Sequence, residues 1–236
     1  MIQPYYEQDG ITIYHGDCRA VLPRIAPPRT GSASFDLLLT DPPYGIKMAK
    51  SGRVGTSAST GFSGKTGKMV EVRDYGASAW DDKTADEGVA VARGLCRHQI
   101  IFGGNFYDLP PSSCWLVWDK DNTGDFADCE LAWTNLKKAV RKLTYRWNGM
   151  LQEPGVPRTI RVHPTQKPEA VIRWALMQAP ADVKTVLDPF MGSGTTLVAV
   201  KRLGRRAVGI EVEEKYCEIA AERLQQGALD LFGESA

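Results

Sequence analysis

Apolar runs too short for helices alternate along this chain with longer stretches in which apolar residues recur at the helical period. Residues 11–14 (ITIY), 35–40 (FDLLLT), 99–103 (QIIFG), 114–118 (CWLVW), 185–187 (TVL) and 207–210 (AVGI) predict strands. Residues 18–25, 84–97, 169–178, 196–203 and 213–226 predict helices. Val21, Leu22 and Ile25 share one face of the first, and Tyr216, Ile219, Ala220 and Leu224 point inward on the last. Residues 131–133 and 140–147 read as strands pairing at a sheet edge. Strands that alternate with helices build an α/β sheet, and the apolar run FDLLLT suits a central parallel strand. Residues 47–79, rich in Gly, Ser, Thr and Lys, lack periodicity and are long for a loop in a compact domain, which marks a lid or flexible segment.

Polar residues gather where strands end. The sequence DPFMGSGTT, Asp188 to Thr196, joins a strand to a helix through Gly192 and Gly194. Glycine lets the backbone turn tightly against a ligand, and the helix that follows aims its first amides at an anion. Glu211 ends the next strand, about twenty residues on, where nucleotide-binding folds hold ribose hydroxyls with an acid. The G-x-G-x-x-G spacing is absent, which disfavours NAD. Asp41-Pro42-Pro43-Tyr44 closes the central strand. The two prolines stiffen the backbone, so that the Asp41 carboxylate, the Pro42 carbonyl and the Tyr44 ring are presented together. Such a trio can accept both N–H bonds of a nucleobase amino group and stack on the base. Asp17 ends the first strand, either as a helix N-cap or as an acceptor for a base amino group. His163-Pro164-Thr165-Gln166-Lys167-Pro168 opens a helix, and capping explains Thr165 and Lys167 as well as ligand binding does. GFSGKTGK lacks the first glycine of a phosphate loop, because Ser59 stands there. Trp115, Trp118, Trp133 and Trp147 read as core or edge packing rather than base-stacking residues.

The length of 236 residues, with 43% hydrophobic and 24% charged, fits a single domain. No apolar run is long enough to span a membrane and the first residues lack a signal-peptide pattern, so a cytoplasmic protein is expected. Five scattered cysteines and three distant histidines indicate neither disulfides nor a metal site. The net charge of +1 hides a segregation: residues 46–73 carry +5 and residues 134–163 carry +6, against −10 elsewhere. Two basic stretches on an acidic body suggest a polyanion-binding face.

DPPY followed by HPTQKP and then DPFMGSGTT resembles the S-adenosylmethionine-dependent DNA amino methyltransferases of the beta permutation group, whose members modify adenine N6 or cytosine N4. The resemblance implies a circularly permuted Rossmann-like fold, a seven-stranded mostly parallel sheet with one antiparallel strand. It implies that Asp188, Pro189, Phe190, Gly192, Ser193, Gly194 and Thr195 form the cofactor elbow, and that Glu211 binds the ribose. It places Asp17 and Cys18 at the adenine, Thr165 and Lys167 near the methionine carboxylate, and Asp41 beside both cofactor and substrate. Asp41, Pro42, Pro43 and Tyr44 would hold the target base. Asp at the head of DPPY is similar to adenine-modifying members.

The expected activity is therefore methylation of a flipped adenine in double-stranded DNA, yielding S-adenosylhomocysteine without a metal; the alternative is cytosine N4, and more remote ones are an RNA or protein-amide methyltransferase or a catalytically silent DNA-binding module. Residues 46–80, as a basic flexible loop, and 134–163 are the expected DNA-recognition elements within the single domain. They supply Lys47, Arg53, Lys65, Lys68, Lys137, Lys138, Arg141, Lys142, Arg146, Arg158 and Arg161. The chain is short for a separate recognition domain, which favours a homodimer. It shows no nuclease-like cluster of acids and lysine, and a companion nuclease is not inferable from it.

Overall fold

A short hairpin opens the chain. β1 (Tyr6–Gln8) and β2 (Ile11–His15) pair antiparallel through Asp9 and Gly10, both in the left-handed region at φ 52° and 77°. An Asp-Gly pair suits such a tight turn, because its twist matches that of the strands. Gln8 pairs Ile11, and the alternating run Ile11, Thr12, Ile13 buries its isoleucines completely.

The computed structural model describes residues 2–26, 33–45, 53–54, 73–74, 84–121, 127–147, 152–156, 162–163 and 165–230. After the hairpin come α1 (Cys18–Ile25), β3 (Phe35–Thr40), the two-residue strands β4 (Arg53–Val54) and β5 (Arg73–Asp74), and α2 (Asp86–Gly94). β6 (Cys96–Phe102), β7 (Trp115–Asp119), β8 (Cys129–Thr134) and β9 (Arg141–Thr144) follow. The chain ends with α3 (Glu169–Gln178), β10 (Thr185–Asp188), α4 (Thr195–Arg202), β11 (Arg206–Glu211) and α5 (Glu214–Asp230). Of the segment 46–80, only β4 and β5 are described, paired antiparallel as a separate ribbon.

Nine strands form the main sheet in the order β1-β2-β11-β10-β3-β6-β8-β7-β9. The inner seven, β2 to β7 in that order, match the seven-stranded mostly parallel sheet with one antiparallel strand, β8. β1, antiparallel to β2, and β9, parallel to β7, extend it at the two edges. Two elements differ from the periodicity in ways the pairing explains. The stretch 84–97 divides, because the helix ends at Gly94 and Cys96 already pairs with Phe35 in the sheet. The strand expected over 140–147 is confined to Arg141–Thr144, the residues with partners on β7.

Successive residues of β3 face opposite layers. Leu37 and Leu39 join the core under α3, α4 and α5, while Leu38 joins that under α1 and α2, and all three are fully buried. Ile100 and Ile101 divide in the same way on β6. Each such side chain contributes about 1.5–3 kcal/mol on burial. Among the described residues, no helix is long and apolar enough to cross a membrane.

The sheet order fixes where a ligand can lie. From β10 the chain winds through α4 to β11, toward one edge; from β3 it winds through α2 to β6, toward the other. β10 and β3 are thus neighbours at the point where the winding reverses, and a crevice opens beyond their C-terminal ends.

Candidate active site

A cavity of about 710 Å³ occupies that crevice, lined by the ends of β3, β10 and β11, the start of α1, and the segment from His163 to Lys167. It is a usual size for a small-molecule site.

The glycine elbow forms its floor. Gly194 sits at φ 77° as the N-cap of α4, and a Cβ there would lie 2.7 Å from the Ala220 Cβ on α5. Only glycine lets the turn pack this closely. Asp188, 2% exposed, accepts hydrogen bonds from Thr40 Oγ1 at 2.7 Å and Phe190 N at 3.2 Å. It ties β10 to β3, and burial pushes its carboxyl up to about 6 against those bonds. Glu211 closes the far side: its Oε2 accepts from Gly192 N at 2.9 Å and its Oε1 from Glu213 N at 2.8 Å. Burial raises it to about 7.

Arg223 on α5 was absent from the sequence expectations. Its Nη1 donates to Ser193 O at 2.5 Å, Ser193 Oγ at 3.2 Å and Thr195 Oγ1 at 3.3 Å, so a helix from the end of the chain clamps the elbow. The helical period placed Leu224 inward but carried no signal for its neighbour.

On the other wall, Asp17 caps α1 by accepting from Arg19 N at 2.8 Å and pairs with the Arg19 guanidinium, which draws its carboxyl below the usual range. It still lines the cavity, as does Cys18, whose thiol is pushed up to about 12 by burial. Thr165 lies against His163, its Oγ1 3.2 Å from Nδ1. His163 in turn packs edge-on against Tyr216, with ring centroids 4.3 Å apart.

Asp41 and Pro43 reach the same cavity from the end of β3. Tyr44 donates its hydroxyl to Asp41 Oδ1, and its ring stacks on Phe106 at 4.8 Å and 13°. The ring also presses on Gly103, where a Cβ would stand 2.0 Å from Tyr44 Cε1. Pro42 is buried, and the Pro43 carbonyl accepts from the Tyr107 hydroxyl, which stiffens the turn further.

Lys167, placed by resemblance near a methionine carboxylate, lines the cavity; its ammonium lies 2.5 Å from Asp41 Oδ2 and 3.1 Å from Glu130 Oε2, and donates to the Tyr44 hydroxyl at 3.2 Å. Burial lowers its pKa, but the two carboxylates outweigh burial and hold it protonated.

The described basic residues of segment 134–163 do not converge on one face. β8 runs against the parallel strands, so Lys137 and Lys138, just beyond its end, lie at the sheet edge opposite Asp41. Lys138 Nζ donates there to Gln178 O at 2.6 Å, at the C-terminal end of α3. Arg141 begins β9 opposite Leu116, and Lys142 pairs with Asp119 at 2.6 Å. Arg146 stands at the catalytic edge, paired with Asp121. Arg53 lies in β4; Lys47, Lys65, Lys68, Arg158 and Arg161 lie outside the described residues. Trp118, Trp133 and Trp147 are buried, and the first two donate to Tyr145 O and Pro110 O.

Residues 104–222 match the family described as DNA methylase, N6_N4_Mtase. Type II methyltransferase M2.LlaDCHI of Lactococcus lactis subsp. cremoris is 28% identical, over 97% of this chain and 94% of that protein. Type II methyltransferase M2.DpnII of Streptococcus pneumoniae is 28% identical over 95% and 93%. The M1.HpyAVI–SAM complex superposes with a TM-score of 0.54 at 24% identity, covering 91% of this chain and 100% of that one. The cytosine-N4-specific PvuII DNA methyltransferase superposes with 0.56 at 14% identity, covering 93% and 88%, so both share the fold. The chain belongs to the N6/N4 DNA methylases, S-adenosylmethionine-dependent enzymes that methylate base amino groups in DNA.

Proposed function

We propose that this enzyme methylates N6 of an adenine flipped out of duplex DNA, with Asp41, Pro42 and Tyr44 holding the base. The observation that carries this reading is the position of Asp41, which lines the same cavity as the cofactor elbow and accepts the Tyr44 hydroxyl.

The residues present suit the cofactor. Glu211 offers a carboxylate to ribose hydroxyls, Phe190 and Cys18 offer a less polar wall, and the backbone of Gly192 to Thr195 with Thr165 offers donors to a carboxylate. S-adenosylmethionine supplies a methyl group already activated by the sulfonium to which it is bonded.

The protein's part is to position the target nitrogen. Asp41 has both carboxylate oxygens engaged, one by Tyr44 and one by Lys167, yet each keeps a further lone-pair site for an amino N–H. With the Pro42 carbonyl taking the second N–H, the nitrogen lone pair is turned toward the methyl group. Tyr44 supplies a stacking face, worth about 1–3 kcal/mol per base. That contact and two hydrogen bonds offset the few kcal/mol needed to unstack the base. Asp41 is partly buried, which strengthens each of these interactions.

Aspartate at the head of DPPY favours adenine. The Type II relatives support action at a defined sequence, as in restriction–modification. Arg146 at the catalytic edge and the basic segment 46–80 are the proposed grips on DNA, and pairing of two copies belongs to the same reading. Incubation with labelled cofactor and mixed-sequence duplex DNA, then digestion to nucleosides, tests it. N6-methyladenine is expected; N4-methylcytosine would overturn the choice of base.

A further inference from the structure

The hairpin of β7 and β8 carries two charges that the chemistry proposed above does not use, Lys120 directly after β7 and Glu130 near the start of β8. They continue a line of charge that ends at the catalytic carboxylate. Lys120 Nζ lies 2.6 Å from Glu130 Oε1, Glu130 Oε2 lies 3.1 Å from Lys167 Nζ, and Lys167 Nζ lies 2.5 Å from Asp41 Oδ2. Three separate segments of chain thus meet at one ammonium, whose side chain is only 7% exposed.

Two cations balance two carboxylates in this line. The rings of Trp118 and Phe102 lie under its cations, 5.1 Å from Lys120 Nζ and 4.9 Å from Lys167 Nζ. Glu130 Oε2 is buried and makes no hydrogen bond among the described residues, so charge alone offsets its desolvation. Burial pushes the Glu130 carboxyl up, but Lys167 and Lys120 outweigh that and hold it at about 2. Buried ion pairs add little net stability compared with apolar packing, so stability is a weak reason for such a line. Its geometry gives a better one. Without Glu130, Lys167 would keep a single carboxylate partner and could turn toward the open cavity, taking Asp41 with it.

We propose that Glu130, braced by Lys120, is a positioning residue for methyl transfer, holding the Lys167 ammonium against Asp41 so that the carboxylate stays aimed at the target amino group. This rests on the reading of Asp41 as an acceptor for that group. Misplacement of a reacting group by about 1 Å costs roughly 100-fold in rate.

The test uses the full-length enzyme with S-adenosylmethionine and mixed-sequence duplex DNA, measuring single-turnover rate against pH, cofactor affinity and melting temperature. Glu130→Gln should slow methyl transfer about 100-fold while cofactor affinity changes by less than about twofold. Glu130→Asp should restore part of the rate. The Glu130 charge raises both Asp41 and Lys167, so both limbs of the pH profile should move to lower pH in Glu130→Gln. Lys120→Gln removes the opposite charge and should move both limbs to higher pH, which keeps the test decisive if Glu130→Gln does not fold. Limbs that stay in place in both variants, or a parental rate in Glu130→Gln, would overturn the proposal. Asp41→Asn serves as the reference. If it methylates at the parental rate, the acceptor reading itself fails; if it is inactive while the Glu130 variants are normal, only the positioning role fails.

Discussion

Cofactor affinity should depend on pH through Glu211. Its carboxyl is raised to about 7 by burial, against backbone donation from Glu213, Gly192 and Val212. Ribose hydroxyls donate to a carboxylate, so binding favours the ionised form and draws the pKa down. If only that form binds, the apparent dissociation constant is multiplied by the ratio of total to ionised Glu211. From a value of about 7, that factor is about 11 at pH 6 and about 1.1 at pH 8, an overall change of about tenfold, or about 1.4 kcal/mol. For the unliganded fold the sign is opposite. A carboxyl raised above its unfolded value of 4.5 favours the folded state when protonated, so this contribution is lost as pH rises from 4.5 to about 7. Cofactor-induced stabilisation should therefore grow between pH 6 and pH 8 while the unliganded protein becomes no more stable through this group. Calorimetry in buffers of different ionisation enthalpy measures the linked proton directly. At pH 6.5, binding should release about 0.8 proton from Glu211. Glu211→Gln should abolish that release and weaken binding, and the cofactor's own titration cancels in the comparison. Equal proton release from the parent and Glu211→Gln would refute the assignment.

Three further outcomes follow from the site. Asp41→Ala should lose methylation with cofactor affinity nearly unchanged, whereas Tyr44→Phe, which loses only the hydroxyl shared with Asp41 and Lys167, should retain more activity than Tyr44→Ala; single-turnover rates with duplex DNA rank them, and an active Tyr44→Ala would remove the stacking role. Arg223→Met should weaken cofactor binding by about 1–2 kcal/mol, measured by calorimetry, because Ser193 and Thr195 lose a charged donor. Arg146→Gln should lower the salt slope of DNA binding by about 0.9, while Lys137→Gln and Lys138→Gln leave it unchanged; a reduced slope in the latter pair would place DNA on the far edge.

The parts of this site legible in the sequence are those encoded within one window. FDLLLT followed by DPPY marks a buried strand and its stiff end without reference to the rest of the chain. The elbow at Gly192 and Gly194, with Glu211 one strand later, is a feature of one strand-helix-strand unit. β1 was not expected: the Asp9-Gly10 turn precedes β2, but three residues, one half-buried and two exposed, gave the apolar pattern nothing to register. What escaped depends on pairings that no window contains. Glu130, paired with Lys120, meets Lys167 only because β8 and β7 are placed beyond β6, and Arg223 meets Ser193 only because α5 folds back over the elbow.

The basic segment shows most directly how strand direction changes the meaning of a charge count. A net +6 over residues 134–163 reads as one patch along the sequence. Yet β8 points away from the catalytic edge and β9 returns toward it, with Arg141 opposite Leu116 and Thr144 opposite Asp119. The described charges of this run are therefore spread along the strand direction. At about 3.4 Å per residue, the six residues of β8 stand between Lys137 and Lys138, beyond its end, and Arg146, beyond the Thr144 that lies level with its start, a separation of about 20 Å, twice the distance over which salt at 0.1 M leaves exposed charges acting together. Lys137 and Lys138 consequently belong to a different electrostatic neighbourhood from Arg146, and a duplex seated over Asp41 feels the second far more than the first.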